Sequence, residues 1–291
     1  MGGLACAKGS QRSVVIMDNR TTYEICVNAL KEYVANAGFN EVIVGLSGGL
    51  DSALTATMCV DALGASCVHG LLLPGPYSSA HSITDAQKLA ENLEIESEVV
   101  SITEPYESFM RALKDPFGQA LKGIAAENTQ ARCRMICLMA VSNQQGWMLI
   151  NTSNKSETMM GYSTLYGDTA GAFAPLGGLY KTDVYKLAYW RNEQGLKQKG
   201  IAPIPKNTLE KPPSAELSPN QEDERAMGIS YDELDKILID LVERKKGPEE
   251  ITDEHLSLEK VMQIQKRIEA YAFKRDNEPP FPCHPFYDSA D

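Results

Sequence analysis

The chain is short of positive charge. Its 291 residues carry 28 Lys and Arg against 39 Asp and Glu, a formal net charge of −11. So acidic a chain lacks the clustered cations that hold nucleic acid phosphates, and nucleic acid is not an expected partner. No apolar run approaches the roughly 18 residues of a spanning helix, so no membrane partner is expected either. The first twelve residues, Met1 to Arg12, lack the apolar core of a signal peptide. Residues 1–18 are expected to form a disordered or poorly ordered lead, and residues 281–291 a C-terminal tail. Paired cysteine motifs are missing as well. Cys6, Cys26, Cys59, Cys67, Cys133, Cys137 and Cys283 are odd in number and include no Cys-x-x-Cys, which speaks against a disulfide framework or a zinc ribbon. Cys133 and Cys137 stand at i, i+4 on an expected helix and could share a metal. With no second pair or nearby His, packing is the better reading. A reducing cytoplasm is the economical location.

What the sequence does contain is a run from Val42 to Leu54, Val-Ile-Val-Gly-Leu-Ser-Gly-Gly-Leu-Asp-Ser-Ala-Leu. An apolar, β-branched stretch ends in small residues, and a helical pattern follows at once. That is a buried strand, a tight turn and a helix N-terminus. Gly45, Gly48 and Gly49 let backbone N–H groups approach a ligand, while Ser47 and Ser52 add hydroxyls. With the unpaired amides and positive dipole end of a helix start, the turn becomes an anion site, most simply for phosphate. The spacing is neither G-x-G-x-x-G nor a loop ending in Gly-Lys-Ser/Thr, so two common phosphate loops are excluded. Asp51 is the puzzling member. A carboxylate beside an anion site repels phosphate unless a cation such as Mg²⁺ lies between them.

Taken in order, the pattern predicts a helix over Asn19–Asn36, the loop strand, and a helix from about Asp51 to Leu63. A strand over Ser66–Leu73, a helix over Ser82–Leu93 capped by Ser82 or Thr84, and a strand over Glu96–Ile102 follow. Next come a short helix at Tyr106–Leu113, a long one at Ala120–Gln144 and a strand at Trp147–Ile150. Strands alternating with helices make an α/β, doubly wound parallel sheet with flanking helices. Ligands gather beyond the carboxyl ends of such strands, so the loops leaving at Ser47, Pro74 and Asn151 should converge. Lys181–Arg191 reads as a helix, Pro203–Glu224 as a long loop suited to a lid, and Tyr231–Lys245 and Leu256–Phe273 as closing helices.

Three further stretches bear on chemistry. Within Glu127–Arg134, Gln130 and Arg134 are i, i+4 neighbours while Arg132 points elsewhere; either arginine suits a surface ion pair or a phosphate or ribose. In the polar stretch Asn151–Glu157, Glu157 is placed to be a second Mg²⁺ carboxylate with Asp51. Lys181 opens a helix, where the dipole disfavours a cation, and this misplacement fits a lysine reaching for phosphate.

Taken together, the chain from about Asn19 to Pro280 resembles the NAD synthetases. The resemblance rests on Ser47-Gly-Gly-Leu-Asp-Ser52, Glu127-Asn-Thr-Gln-Ala-Arg-Cys-Arg134, Asn154-Lys-Ser-Glu157, Leu165-Tyr-Gly-Asp168, Lys211-Pro-Pro-Ser-Ala-Glu-Leu217 and Phe273-Lys-Arg275. The first motif alone indicates only the ATP pyrophosphatase superfamily; the ordered set is far more specific. The resemblance implies a Rossmann-like, adenine nucleotide alpha hydrolase-like fold, with residues 19–280 as the synthetase domain. It implies that ATP and Mg²⁺ convert deamido-NAD to NAD through an adenylate, releasing pyrophosphate and then AMP, with ammonia as nitrogen donor. By similarity, Gly45, Leu46, Ser47, Gly48, Gly49, Asp51, Ser52, Thr152, Lys181 and Ser214 contact ATP, Asp51 and Glu157 hold the metal, and Arg132, Phe273 and Lys274 contact deamido-NAD. Asp51 and Lys181 are the catalytic candidates, and a homodimer is implied.

Leu72, Leu165 and Ala172 stand where small ammonia-dependent members carry Arg, Lys and Asp. There the chain looks more like the synthetase half of glutamine-dependent members, whose nitrilase-like glutaminase domain would need far more than the 18 or so residues ahead of Asn19. Free ammonia is the simplest nitrogen source, and a separate glutaminase subunit is the alternative. GMP synthetase, a tRNA thiolase and a non-catalytic nucleotide sensor are the rival readings. The acidic charge weighs against the thiolase, and Asp51, Glu157 and Lys181 together weigh against a mere sensor.

Overall fold

The computed structural model describes residues 17–118, 120–219, 221–252 and 256–289. Most of the expected lead, with Cys6, and the last two residues of the expected tail lie outside them. Four short parallel strands form the centre: β1 (Val42–Gly45), β2 (Val68–Leu72), β3 (Glu96–Val99) and β4 (Met148–Leu149), in the order β3-β2-β1-β4. Side chains alternate across this sheet. Val42, Val44, Val68 and Leu72 face one core, whereas Ile43, Leu71 and Leu149 face another. Burial on both faces explains why β1 and β2 read as continuous apolar runs.

The first core is closed by α1 (Asn19–Asn36), α2 (Leu50–Leu63), α3 (Ala80–Leu93) and α7 (Lys181–Lys199), through Leu30, Val34, Leu54, Met58, Leu89 and Leu187. On the opposite face, α4 (Thr103–Phe117) and α5 (Ile124–Gln145) cover the sheet with Tyr106, Cys133 and Leu138. Helices on both faces of a parallel sheet are the doubly wound arrangement that the sequence predicts. A third core lies beyond the sheet, where α6 (Lys155–Met160), α10 (Tyr231–Leu238) and α11 (Leu258–Ala270) pack through Met160, Leu234, Ile237 and Val261. Two short helices, α8 (Lys206–Glu210) and α9 (Asp223–Met227), and a terminal turn, α12 (Ala272–Arg275), complete the set.

Several local expectations need correction. The segment Pro203–Glu224 is not a structureless loop: it contains α8 and enters α9, leaving residues 203–205 and, as an irregular strap, residues 211–219 and 221–222 among those described. Ser79, not Ser82 or Thr84, caps α3, its hydroxyl accepting from the Ser82 N–H at 3.2 Å. The stretch after Asn154 is helical, with Asn154 itself as the cap. The helix expected over Tyr231–Lys245 ends at Leu238 and passes into a π-helical turn, Ile239–Glu243, where Glu243 accepts from Tyr180 Oη at 2.6 Å. β4 is short because its outer neighbour is a loop: Ile150 bridges Phe173, and the Ala172 N–H reaches the Leu149 carbonyl at 2.8 Å.

The chain steps from β1 to β2 to β3 in one direction and then returns to set β4 on the other side of β1. That reversal opens a crevice beyond the carboxyl ends of β1 and β4. The turn after β1 depends on Gly48, whose φ is +79° and whose missing Cβ leaves room for the Ser82 backbone carbonyl. Gly146, after α5, is also left-handed, at φ +75°, but has open space around it. Gly48→Ala is therefore expected to lose more stability than Gly146→Ala. Both incur about 1–2 kcal/mol for an L-residue at positive φ, and only the first adds a backbone clash. Denaturant unfolding of the two variants checks this, and equal losses would count against the close approach.

Candidate active site

The crevice holds a cavity of about 640 Å³. Ten of the residues expected from the sequence line it: Gly45, Leu46, Ser47, Gly49, Asp51, Ser52, Thr152, Glu157, Lys181 and Ser214. Gly48 stays behind the loop wall, its carbonyl accepting from Thr208 Oγ1 at 3.3 Å. The turn organises itself through its two serines. The Gly49 N–H donates to Ser47 Oγ at 3.1 Å, the two hydroxyls lie 3.0 Å apart, and Ser52 Oγ donates to the Gly49 carbonyl at 3.0 Å. Gly49 then caps α2 without a side chain, so the first amides of the helix are left for a ligand.

Across the loop stands a buried ionic cluster. The Lys181 ammonium donates to Asp51 Oδ2 and, at 3.2 Å, to Glu157 Oε1, and its side chain is only 2% exposed. Asn154 Nδ2 donates to the other Asp51 oxygen at 2.9 Å. Three elements thus meet on one charge, with Asp51 on the first turn of α2, Glu157 on α6 and Lys181 opening α7. Burial pulls the lysine toward its neutral form, but Asp51 and Glu157 outweigh it and hold it charged. Glu157 is affected the other way. Burial pushes its carboxyl up to about 8; Lys181 opposes the rise, while Asp51 and Asp223 add to it. The Tyr231 ring lies 5.4 Å from the Lys181 nitrogen and its hydroxyl 3.5 Å from Glu157 Oε1.

Among the described residues no three His, Cys, Asp or Glu converge on a common point. A divalent cation here would rest on Asp51, Glu157 and oxygens borrowed from a bound phosphate. That oxygen-only set suits Mg²⁺, which takes one or two carboxylates and completes its shell with phosphate and water. Among the described residues Cys133 and Cys137 belong to no cluster of three such groups, and burial raises both thiols.

The strap over the cavity is fastened by side chains. Glu216, in the left-handed region at φ +48°, accepts from Ser79 Oγ at 2.6 Å and Ser82 Oγ at 2.8 Å, at the start of α3. Lys211 donates to Ser82 Oγ at 2.9 Å and pairs with Asp85 at 3.1 Å, and Gln130 Nε2 holds the Leu217 carbonyl at 2.8 Å. Ser214 Oγ donates to the Gln221 carbonyl.

Arg132, Phe273 and Lys274 do not line the cavity. Arg132 is exposed and donates to the Leu165 carbonyl at 3.1 Å, whereas Arg134, on the other face of α5, lines the cavity and donates to the Leu73 carbonyl at 3.0 Å. Lys274 donates to the Gly161 and Ser163 carbonyls just past α6, and Phe273 is exposed beside it. Arg132 and Lys274 are therefore gathered on one segment, residues 161–168, which ends at Asp168. Burial lifts the Asp168 carboxyl to about 6, against the Thr164 N–H and Lys274. Sequence reasoning missed Asn154 as a partner of Asp51, Tyr231 as the lid on Lys181, and Glu216 as the clasp of the strap. Asn154 was legible, standing three residues before Glu157 in a capping position; the others depend on contacts distant in sequence.

The raised Glu157 carboxyl has a signed consequence. A group at about 8 in the fold and near 4.5 when unfolded stabilises the protein below 4.5, and that stabilisation is lost as pH rises through 8. The metal-free wild type is therefore expected to lose melting temperature relative to Glu157→Gln between pH 5 and 9. Parallel pH curves for the two proteins would contradict this.

The family model for NAD synthase matches residues 22–278. The chain is 42% identical over 253 residues to a glutamine-dependent NAD(+) synthetase of Thermotoga maritima, covering 87% of this chain and 43% of the relative. It spans less than half the length of that relative. An NH(3)-dependent NAD(+) synthetase of Wolinella succinogenes is 38% identical over 253 residues, covering 87% of this chain and 92% of the relative. Among solved structures, an NMN synthetase from Francisella tularensis superposes with a TM-score of 0.75 at 30% identity, covering 89% of this chain and 96% of the other. With its parallel sheet, its Ser47–Ser52 turn and the matched 257-residue span from residue 22 to 278, the chain belongs to the NAD synthase family.

Proposed function

We propose that residues 19–280 amidate deamido-NAD to NAD at the expense of ATP, with Mg²⁺, through an adenylated intermediate. The observation that carries this reading is the buried Lys181 held between Asp51 and Glu157, directly facing an open phosphate-type turn. A carboxylate is a poor acyl donor until one of its oxygens becomes part of a good leaving group. The nicotinate carboxylate of deamido-NAD attacks the α-phosphorus of ATP, the α–β bridge bond breaks, and pyrophosphate leaves. Ammonia then attacks the acyl carbon of the adenylate, AMP departs, and the amide nitrogen gives up a proton.

The protein's part is positioning and charge neutralisation. Backbone amides from Gly45 to Ser52 would cradle the phosphates, with Thr152 and Ser214 as further contacts on ATP. The Lys181 ammonium would offset charge developing on the departing pyrophosphate. Asp51 and Glu157 would hold Mg²⁺, which when bound offsets phosphate charge. Arg132 and Lys274, gathered on residues 161–168, and the exposed Phe273 beside Lys274 would contact deamido-NAD, and a homodimer would bring a second copy near them.

Free ammonia is the proposed nitrogen source. The name of the Wolinella succinogenes relative, NH(3)-dependent, supports it. The names of the longer relatives support the alternative, a glutaminase that feeds ammonia to this unit. The Francisella tularensis neighbour makes a nicotinate mononucleotide acceptor worth a separate arm.

The test is pyrophosphate release from ATP and Mg²⁺ with deamido-NAD, nicotinate mononucleotide, xanthosine monophosphate or no acceptor. Release should depend on deamido-NAD, and NAD should appear when ammonium is added. Release indifferent to the acceptor, or specific to xanthosine monophosphate, would overturn the reading. Glutamine in place of ammonium tests the alternative, and NAD formed from glutamine would overturn free ammonia as the donor. Asp51→Asn is expected to lower turnover on the order of 100-fold while circular dichroism stays unchanged. Turnover near the wild-type value would remove Asp51 from the metal role.

A further inference from the structure

Lys181 opens α7, where the helix dipole works against a cation, and its preceding residue, Tyr180, caps the helix without any side-chain bond. Something else must hold that first turn. The carboxylate that does so comes from 53 positions further along the chain: Asp235 on α10, 2% exposed, accepts from the Thr182 N–H at 2.8 Å through Oδ2. Its Oδ1 accepts from Ser156 Oγ at 2.5 Å, and Ser156 Oγ in turn accepts from the Lys181 N–H at 2.8 Å. Ser156 precedes Glu157. One buried carboxylate therefore ties the segment that carries Glu157 to the segment that carries Lys181.

The chemistry of Asp235 suits that task. A buried carboxylate persists where hydrogen bonds and positive charge compensate it, and the start of α7 supplies both. One turn earlier on α10, at i−4, Tyr231 presents its ring to the Lys181 ammonium and its hydroxyl to Glu157. The same helix face thus holds the lysine at its backbone and covers it at its charged end. Asp235 itself does not line the cavity and touches neither Asp51 nor Glu157.

We propose that Asp235, acting through Ser156, is a positioning residue that sets the separation of Glu157 and Lys181 and thereby the Mg²⁺-dependent binding of ATP. The proposal rests on reading Asp51, Glu157 and Lys181 as the metal and phosphate site. It does not depend on the identity of the acceptor.

Calorimetric titration of ATP, with and without Mg²⁺, into wild type, Asp235→Asn, Ser156→Ala and the double variant tests it. An asparagine offers one acceptor where the carboxylate uses two, so the tie to Ser156 or to Thr182 fails while the shape is kept. The expected result is a loss of Mg²⁺-dependent ATP affinity of about 10- to 100-fold in each single variant, with the Mg²⁺-free affinity nearly unchanged. The double variant should be no worse than Asp235→Asn, because both substitutions cut the same chain of bonds. A merely structural role would lower melting temperature and leave the Mg²⁺ dependence of the folded fraction at its wild-type value, and that result would overturn the proposal. Should Asp235→Asn fail to fold, Ser156→Ala decides alone by the same criterion. Wild type that binds ATP with Mg²⁺ but releases no pyrophosphate with deamido-NAD would sink the proposed reaction and leave this comparison decisive. Wild-type ATP binding indifferent to Mg²⁺ would overturn both.

Discussion

The structure turns on one buried ammonium. A lysine removed from water is tolerated only with its charge met at close range, and Lys181 meets Asp51 and Glu157 together beneath the ring of Tyr231. Those partners sit on α2, α6 and α10, so satisfying one charge fixes the relative placement of four helices including its own. Burial, reinforced by the neighbouring carboxylates Asp51 and Asp223 and opposed by Lys181, pushes the Glu157 carboxyl up to about 8.

The three cores explain how such a cluster comes to lie at the mouth of a cavity. The first core packs α2 and α7 on the sheet, and the third packs α6 against α10 and α11 beyond it. Lys181 lies at the seam, at the end of a helix belonging to the first core but capped from the third. The phosphate-type turn belongs wholly to the sheet. The two sides of the cavity are therefore supported by different hydrophobic units, joined at polar contacts.

Much of this was legible in the sequence, for identifiable reasons. The bounds of α1, the strand before Ser47, and the placement of Asp51, Glu157 and Lys181 follow from local pattern: apolar periodicity, glycine at a turn, and a cation where a helix dipole disfavours it. What was not legible depends on pairing between distant segments. Ser79 rather than Ser82 caps α3, and both serine hydroxyls donate to Glu216, 137 and 134 positions away, a contact that no local pattern announces. The π-helical turn after Leu238 is bound up with Glu243 reaching Tyr180 and Lys155, and no local propensity announces that. Arg132 and Arg134 divided as the helical spacing predicts, yet only the fold reveals that Arg134 turns toward the cavity.

The two margins of the sheet are finished differently. Beyond β4, residues 171–173 run alongside and take up its free backbone groups, so that margin cannot recruit another strand. The outer margin at β3 has no such neighbour among the described residues, and it exposes Glu96 and Glu98 with Val99 beside them. An open strand edge is a template for unwanted growth from one molecule to the next, and two like charges on the same side of it repel an identical edge. In a chain whose net charge is −11, acidity at this margin opposes edge-to-edge growth of the sheet.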